Sequence, residues 1–304
     1  MKRTMTWAVG LSSVALLAAG CTGTDAGMGS GTASRGGDDS VRLVAVGDIA
    51  CPRDETPTPV TCQQDATADL TSSLDPDQVI ALGDLQYESG AEDDFQAAYE
   101  QSWGRFDDIL HSVPGNHEYG TEGAAGYDAY IGQEDPTDPD YYAWDAGGWR
   151  IYMLDSNCAA IDCAAELEWF RADLAANPTK CAAMAMHHPR FSSGAHHSDD
   201  TLEPFWDLAY AAGLDLALAG HDHSYERFAP LDPQGEASSH GITSFVVGTG
   251  GRSLYHQGSL VDGSQFFQAT EFGVLEVTLE PTAASWRYLT VDNEVLDEGT
   301  VACS

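Results

Sequence analysis

Five apolar runs of the sequence end in short turns that carry Asp, Asn or His, the residue types best suited to chemistry. These turns are Gly47-Asp48, Gly83-Asp84, Gly115-Asn116-His117, His187-His188 and Gly220-His221-Asp222-His223. Carboxylate, amide and imidazole groups together suit Fe, Mn, Zn or similar ions, and no cysteine lies within the turns to favour a thiolate site. The sequence therefore indicates a metal site with oxygen and nitrogen ligands.

The elements that must position these turns form an alternating pattern. The runs RLVAV, QVIAL, ILHSVP, CAAMAM and LDLALA are typical of buried strands. Helical periodicity occupies about 91–110, 164–176 and 202–213, and residues 272–301 alternate as in a terminal β-meander. This alternation predicts an α/β domain. Loops beyond the carboxyl ends of its strands share one crevice, so turns 175 positions apart can meet there.

Taken together, the turns resemble the ordered blocks of calcineurin-like metallophosphoesterases over about residues 41–228. Ala50 stands where that superfamily usually has a histidine, but Gly83-Asp84-Leu85-Gln86-Tyr87 resembles the Gly-Asp-x-x-Tyr block of purple acid phosphatases, where a tyrosinate replaces it. His187-His188-Pro189-Arg190-Phe191, followed by His196 and His197, also resembles that branch. The resemblance implies an α/β (α+β) fold, a four-layer αββα sandwich of two mixed β-sheets flanked by helices.

The resemblance also implies two ligand sets that share one carboxylate. The first metal would be held by Asp48, Asp84, Tyr87 and His223, and the second by Asp84, Asn116, His187 and His221. A tyrosinate and carboxylates favour Fe(III) at the first position, which leaves the second for a divalent ion such as Fe, Zn or Mn. The histidines left to bind phosphate and protonate the leaving group are His117, His196 and His197.

The implied reaction is the hydrolysis of small phosphate monoesters by a water that the two metals activate as hydroxide. Two alternatives stay open: a phosphodiesterase or nucleotidase on the same two metals, and a non-catalytic surface lipoprotein that binds metal or phosphate. Taken alone, a Gly-Asp pair after a strand is most often only a turn. The order and number of the blocks carry the interpretation.

Weaker expectations attach to residues outside the ligand sets. We expect Asp222 and Glu226 to orient neighbouring imidazoles, and Arg252 to face an anionic substrate. Loops such as 118–142 are expected to form the groove walls. The histidines with no assigned task in the chemistry are His111, His188, His240 and His256.

The amino terminus predicts export. Lys2 and Arg3 precede a fourteen-residue apolar run, Trp7 to Gly20, which is shorter than the ~20 residues of a membrane span and typical of a signal peptide. The run ends at Cys21 in a sequence that resembles a lipobox, which predicts lipidation of Cys21; a plain cleaved signal is the alternative. We expect residues 1–20 to be a signal peptide, 21–40 a tether and 41–304 the phosphoesterase domain, anchored by lipid at the extracellular face of the cell membrane or secreted.

The cysteine count agrees with an oxidising compartment. The chain has seven cysteines, and lipidation of Cys21 would leave six, with no C-x-x-C pair among them. Disulfides are therefore favoured over a zinc-thiolate site, although six cysteines allow fifteen pairings. The pairing we favour joins Cys51 to Cys62, Cys158 to Cys163 and Cys181 to Cys303.

Composition limits the class of partner. The 304 residues are 43% apolar and 20% charged, which is typical of a globular protein rather than a disordered chain. Acidic residues number 48 against 13 basic ones, for a formal net charge of −35. This excludes nucleic-acid binding through a basic face. Two bound cations would still make a locally positive pocket that suits a small phosphate ester.

Overall fold

The computed structural model of the protein describes residues 40–131 and 140–303. The predicted signal peptide, the Cys21 lipidation site and the tether up to residue 39 lie outside the described residues, so the predicted domain boundaries stay a prediction. In chain order the strands are β1 (Val41–Val46), β2 (Gln78–Leu82), β3 (Leu110–Val113), β4 (Tyr142–Ala146), β5 (Trp149–Met153), β6 (Cys181–Ala185), β7 (Leu216–Ala219), β8 (Tyr225–Phe228), β9 (Thr243–Val247), β10 (Ser264–Gln268), β11 (Gly273–Glu280), β12 (Ala283–Thr290) and β13 (Val295–Ala302).

These strands form two mixed sheets, as the resemblance implied. One has the order β13-β12-β11-β1-β2-β3 and the other β10-β8-β9-β7-β6-β5-β4. Strands β1, β2 and β3 are parallel neighbours in the first sheet, and β5, β6, β7 and β9 are parallel neighbours in the second. The remaining pairings are antiparallel, including the terminal meander β11-β12-β13 predicted from the sequence.

Helices cover the outer faces of both sheets. They are Gln64–Leu74, Ala125–Ile131, Cys163–Ala176 and Glu203–Ala212, together with a mixed stretch of an α-turn at Glu92–Asp94, a π-helix at Phe95–Tyr99, an α-turn at Glu100–Ser102 and a 3₁₀-helix at Trp103–Ile109. Shorter 3₁₀ turns lie at Glu118–Gly120, Glu122–Ala124 and Asp200–Leu202. The three predicted helical segments are therefore helical, although 91–110 is not one regular α-helix.

Two buried clusters explain the layering. The larger one contains residues from both faces of the first sheet, such as Val79 and Leu82 of β2, together with Ile151 and Leu218 of the second sheet. The second packs Met184 and other residues of the second sheet against aromatic residues of the helices Cys163–Ala176 and Glu203–Ala212. Because strands such as β1, β2 and β6 are covered on both faces, they read as continuous apolar runs rather than as alternating ones.

Two features of the fold differ from the sequence analysis. The helix Gln64–Leu74 was missed because Thr67 and Thr71 stand on its buried side beside Ala68 and Leu70, which weakens the apolar periodicity. The expected loop at 118–142 instead contains the helix Ala125–Ile131, and its residues 132–139 lie outside the described part of the chain.

The cysteine pairing is confirmed. Disulfides join Cys51 to Cys62, Cys158 to Cys163, and Cys181 to Cys303, as is typical of a protein folded outside the cytosol. Across residues 40–131 and 140–303, no helix is both long enough and apolar enough to cross a bilayer.

Candidate metal centre

All five predicted turns follow the carboxyl ends of strands of the two sheets. Asp48, Asp84 and Asn116 come after β1, β2 and β3 of the first sheet, and His187 and His221 come after β6 and β7 of the second. Because the strands within each group are parallel, their carboxyl ends lie at one edge. The side chains of the two sheets meet across that edge.

The Tyr87 hydroxyl is the centre of the first predicted ligand set. Its oxygen lies 2.9 Å from Asp48 Oδ1, from Asp84 Oδ2 and from His223 Nε2. His223 Nδ1 is 3.0 Å from the Ser253 hydroxyl, and the imidazole stacks on the Tyr255 ring with centroids 3.9 Å apart. The four predicted ligands of the first metal are thus held together with the His223 ring fixed from behind.

The second predicted ligand set surrounds His187 Nε2. This atom lies 3.2 Å from Asn116 Oδ1, 3.2 Å from His221 Nδ1 and 3.4 Å from Asp84 Oδ2. On the other side of the ring, His187 Nδ1 donates to the Leu82 carbonyl at 2.8 Å. The carbonyl fixes the tautomer and directs the Nε2 lone pair into the site. Asp84 Oδ2 borders both sets, as a bridging ligand must.

Each of the two aspartates uses one oxygen for the backbone and the other for the site. Asp84 Oδ1 accepts the amide of His117 at 2.8 Å, and Asp48 Oδ2 accepts the amide of His221 at 2.8 Å. Both carboxylates are therefore oriented by the turn that follows a different strand. The loops of the site hold each other in place.

Three of the predicted ligands have a backbone conformation that is costly for a residue with a side chain. Asp48, Asp84 and His221 have φ values of 62°, 50° and 70°, in the left-handed region. Such conformations persist where the surroundings enforce them, and they cluster at functional sites. Gly83 precedes Asp84 at φ 81°, and a Cβ built on it would lie 2.5 Å from His187 Nδ1. Only glycine fits this position.

The donor set fits cations. Tyr87 has a single hydroxyl proton, yet two carboxylate oxygens approach its oxygen, and both aspartates are at most 2% exposed. Among the described residues, the ion pairs of Asp48 and Asp84 are with histidines and not with Lys or Arg. Buried carboxylates need a compensating charge, and a hard cation within these oxygen and nitrogen donors would supply it.

The pKa values of the clustered side chains show the same need for positive charge. Burial, followed by the charges of Asp48 and Asp84, raises the pKa of the Tyr87 phenol well above its ordinary value. Burial opposes a charged His187, but the Asp84 carboxylate raises the pKa of this imidazole to about 10. Burial and the neighbouring His187 lower the pKa of His221 below its ordinary value. A tyrosinate at position 87 would therefore depend on a bound cation.

Glu118 holds the backbone of two of the site's turns in place through hydrogen bonds, a role that sequence analysis missed. Its Oε2 accepts the amides of Asp84 and Gly115 at 2.8 and 2.7 Å, and its Oε1 accepts the amide of Gln86 at 3.2 Å. The side chain is fully buried, and burial followed by the Asp84 charge raises its pKa to about 8. Its position directly after Asn116-His117 is the only sequence signal that could have indicated it.

The three expected catalytic histidines lie in different environments. His117 is partly exposed, its ring centroid is 4.3 Å from that of Tyr87, and its Nδ1 is 2.7 Å from the Glu88 carbonyl. His196 is exposed, with its ring 4.4 Å from that of His221. His117 and His196 thus border the open side of the two ligand sets. His197 is exposed with φ 67°, and its Cε1 would lie 3.3 Å from a Cβ built on Gly258.

Asp222 and Glu226 do not orient imidazole rings, contrary to our expectation. Asp222 accepts the Ser192 hydroxyl and, at 2.8 Å, the His196 amide. Glu226 accepts the Ser193 amide at 2.7 Å and the Ser264 hydroxyl at 2.6 Å. Both acids bind loop 191–197, so they position His196 through its backbone.

Arg252 lies beside the site but is bound to acids. Its guanidinium is 2.6 Å from Glu88 Oε1 and 3.1 Å from Glu55 Oε1, and it lies over the Tyr87 ring at 5.3 Å. To contact an anionic substrate, as we expected, Arg252 would have to exchange at least one of these two carboxylates for the substrate.

The remaining histidines fall into two groups. His111 stacks on Trp144 at a centroid distance of 3.6 Å, and burial lowers its pKa to about 4, which is typical of a structural residue. His240 and His256 are exposed in loops. His188 differs from them because its ring is 4.5 Å from that of His221 and its Nδ1 is 2.8 Å from the Ser156 hydroxyl.

Comparison with known proteins agrees with the geometry of this site. Residues 41–225 match the calcineurin-like phosphoesterase family, and the chain belongs to that family. Membership implies a dinuclear metal centre, in agreement with the two ligand sets.

Within this family the similar proteins are acid phosphatases. Purple acid phosphatase 23 of Arabidopsis thaliana is 25% identical over 239 residues, which cover 64% of this chain and 50% of that protein. Purple acid phosphatase 21 of the same plant is 30% identical over 117 residues, 36% of this chain and 26% of that protein. Acid phosphatase A of Cryphonectria parasitica is 29% identical over 127 residues, 38% of this chain and 25% of that protein. The chain thus spans half or less of the length of these relatives.

Solved structures share the fold. The purple acid phosphatase PPD1 from yellow lupin (Lupinus luteus) seeds aligns with a TM-score of 0.65 at 19% identity, covering 86% of this chain and 54% of that one. GAP50 of Plasmodium aligns with a TM-score of 0.64 at 14% identity, covering 87% of this chain and 89% of that one. At such identities the likeness concerns the fold alone.

Proposed function

We propose that this protein is an exported, dinuclear metal-dependent hydrolase that cleaves phosphate monoesters, similar to purple acid phosphatases. The observation that carries the proposal is the Tyr87 oxygen at 2.9 Å from Asp48, Asp84 and His223, with Asp84 shared with a second ligand set. Fe(III) suits the first set, and a divalent Fe, Zn or Mn ion suits the second. When bound, the two cations would supply Lewis acidity toward phosphate oxygens and a water of lowered pKa.

The chain's own residues would do the rest. Asn116 is exposed at the mouth of the site, where its amide can contact a phosphate as well as a metal. His117 and His196 stand on opposite sides of this mouth, one against Tyr87 and the other against His221. From there each can donate to a phosphate oxygen, and the one nearer the ester oxygen can protonate the leaving alkoxide. General acid catalysis of this kind contributes about 10²–10⁴-fold. The role of His197 as a third such group remains part of the proposal.

The test compares the parent protein with Tyr87→Phe. Elemental analysis of purified protein should give two metal ions per chain, one of them iron, and the visible spectrum should contain a tyrosinate-to-Fe(III) band. Tyr87→Phe should abolish the band and lower kcat for a phosphate monoester. An active, colourless parent protein that is insensitive to Tyr87→Phe would overturn the metal assignment.

Substrate class is tested separately with a bis-ester beside a monoester. The proposal expects the monoester to be hydrolysed faster. Preference for the bis-ester would instead favour a phosphodiesterase, and metal-loaded protein with no turnover would favour a non-catalytic binder.

The proposal includes attachment by lipid at Cys21 as the sole membrane contact. The three disulfides support an exported protein. Expression of Cys21→Ser should move the protein from the membrane fraction to the soluble fraction. Unchanged fractionation would contradict the anchor and leave the enzymatic proposal intact.

A further inference from the structure

A groove of about 500 Å³ opens directly beside the second ligand set. We call it the disulfide groove; its wall includes Asn116, Tyr119, Cys158, Ala159, Ala160 and His188. It begins at Asn116, whose Oδ1 is 3.2 Å from His187 Nε2. A phosphate held at the two ligand sets would therefore have the mouth of this groove beside it.

The walls of the disulfide groove are firmly held. Ser156 accepts the amide of His188 at 2.9 Å and lies 2.8 Å from its Nδ1, which fixes this imidazole at the corner between groove and metal centre. The Cys158–Cys163 disulfide closes the loop that carries Ala159 and Ala160. Below that loop, Asn157 donates to Asp155 at 2.7 Å and to the Pro114 carbonyl at 3.2 Å. The groove is thus a preformed feature rather than a gap between loose loops.

The charged groups that line the disulfide groove are acidic. Among its described lining residues there is no Lys or Arg, and Asp199 is the acid. Beyond Tyr119 and Ala160 it meets a second cavity of about 330 Å³, whose lining includes Asp128, Asp155 and Asp162. A negative charge placed along this path would meet carboxylates and find no cation among these lining residues.

We propose that the disulfide groove binds the alcohol part of the phosphomonoester and selects for alcohols that carry no second negative charge. The inference rests on the proposed function, because it assigns the leaving-group side of the same site. The phosphate dianion would be compensated at the metal centre, whereas an anionic group on the alcohol would lie in the groove uncompensated. Juxtaposition of like charges in such a site disfavours binding strongly.

The test uses three phosphomonoesters of primary alcohols of similar length. They are phosphocholine, its neutral isostere 3,3-dimethylbutyl phosphate, and the anionic 3-phosphooxypropanoate. We expect kcat/KM for the neutral ester to exceed that for the anionic ester by about tenfold or more, and the cationic ester to be at least as good as the neutral one. Equal kcat/KM for the neutral and anionic esters would overturn the inference.

A matched pair of variants separates the groove from the overall charge of the protein. Ala160 is exposed at the tip of the disulfide loop, and Ala160→Lys would place a cation in the groove. Ala211 is exposed on the helix Glu203–Ala212, and Ala211→Lys makes the same change in net charge elsewhere. Ala160→Lys should reduce the discrimination against the anionic ester about tenfold, and Ala211→Lys should leave it unchanged. Equal effects of the two variants would overturn the groove assignment.

Failure of the proposed function gives a different result. If metal-loaded protein hydrolyses none of the three esters, the enzymatic proposal fails, and calorimetry with the corresponding phosphonates reports on the groove directly. Weaker binding of the anionic phosphonate, relieved by Ala160→Lys, would support the groove as a charge-selective site. Equal binding of all three would overturn it.

Discussion

Asp84 is the residue on which both halves of the metal centre depend. Its Oδ2 borders both ligand sets, its Oδ1 accepts the His117 amide, and its own amide donates to Glu118. Such a fixed side chain needs neighbours that leave room for it. A Cβ built on Gly115 would collide with the Asp84 carboxylate, and one built on Gly83 would collide with His187. The glycines next to the ligands are therefore part of the centre.

Gly83→Ala should damage the second ligand set in particular. The residue has φ 81°, and its Cβ would lie 2.5 Å from His187 Nδ1, the atom that donates to Leu82. We expect His187 to be displaced, the metal content to fall from two ions toward one, and kcat to drop by at least about tenfold, because an imperfectly positioned group loses most of its effect. Elemental analysis and a monoester assay measure both.

Gly123→Ala is the matched control for this substitution. Gly123 also has a positive φ, 60°, but nothing lies within 4 Å of its Cβ position. Gly123→Ala should lower the free energy of unfolding by only ~1–2 kcal/mol, the cost of left-handed backbone for an alanine, and the variant should retain two metals. If both variants lost metal alike, backbone strain rather than the close approach to His187 would be the cause.

At the scale of elements, the loop 191–197 is the least self-sufficient part of the site. It lies between β6 and the helix Glu203–Ala212, and its anchors Asp222 and Glu226 come from the chain around β8. Asp222 directly precedes His223, a predicted metal ligand, so loss of Asp222 would be expected to disturb the metal centre as well. Glu226 lies within β8 and is fully buried, and its partners are Ser193 of the loop and Ser264 of β10, neither of which is a predicted metal ligand.

Glu226→Gln should therefore loosen His196 without emptying the metal centre. The amide replaces one of two acceptor oxygens that bind Ser193 and Ser264, and an unsatisfied buried group costs about 1–3 kcal/mol. We expect kcat for a monoester to fall about tenfold while metal content stays at two, since general acid catalysis is worth at least ~10²-fold when fully effective. The exposed Glu236→Gln is the control. Loss of metal in Glu226→Gln would contradict this separation.

The strand ends were predictable from the sequence because central strands must be apolar on both faces. A polar residue directly after such an apolar run therefore marks where the strand ends. Asp48, Asp84 and His187 were located in this way, and the resemblance added Tyr87. The supporting residues were not predictable. Glu226 accepts an amide 33 positions away, and Glu118 accepts one 34 positions away in addition to the nearby Gly115 amide. Such distant partners are set by the tertiary packing, which the local sequence does not reveal. The same applies to the disulfide groove, whose walls come from separate loops.

At the scale of the whole molecule, the acidic surface and the metal centre are compatible because the charges are separated by depth. The chain carries 48 acidic residues, but Asp48 and Asp84 are buried at the junction of the sheets. Two cations there would make the mouth of the site locally positive within an anionic surface. In the proposed function, such a mouth would attract the phosphate, and its surroundings would disfavour further negative charge on the substrate.

The sheets that form this junction are tied together at the opposite end. The Cys181–Cys303 disulfide joins the start of β6 in one sheet to the residue after β13 in the other. His187 follows the far end of β6, so this disulfide is remote from the chemistry. The Cys158–Cys163 disulfide, in contrast, closes a wall of the disulfide groove.

Removing the two disulfides should therefore have opposite consequences. Their sequence separations are 122 and 5 residues, for which the chain-entropy account gives about 5 and about 2 kcal/mol of stabilisation. We expect the double variant Cys181→Ala, Cys303→Ala to lose more than twice as much free energy of unfolding, measured in urea, as the double variant Cys158→Ala, Cys163→Ala. The first pair should leave kcat/KM within about twofold because it lies far from the site, whereas the second should lower it and weaken the discrimination between neutral and anionic esters. Unaltered ester discrimination in the Cys158→Ala, Cys163→Ala variant would show that this loop does not shape the groove. Altered discrimination in the Cys181→Ala, Cys303→Ala variant would show that the junction of the sheets shapes it instead.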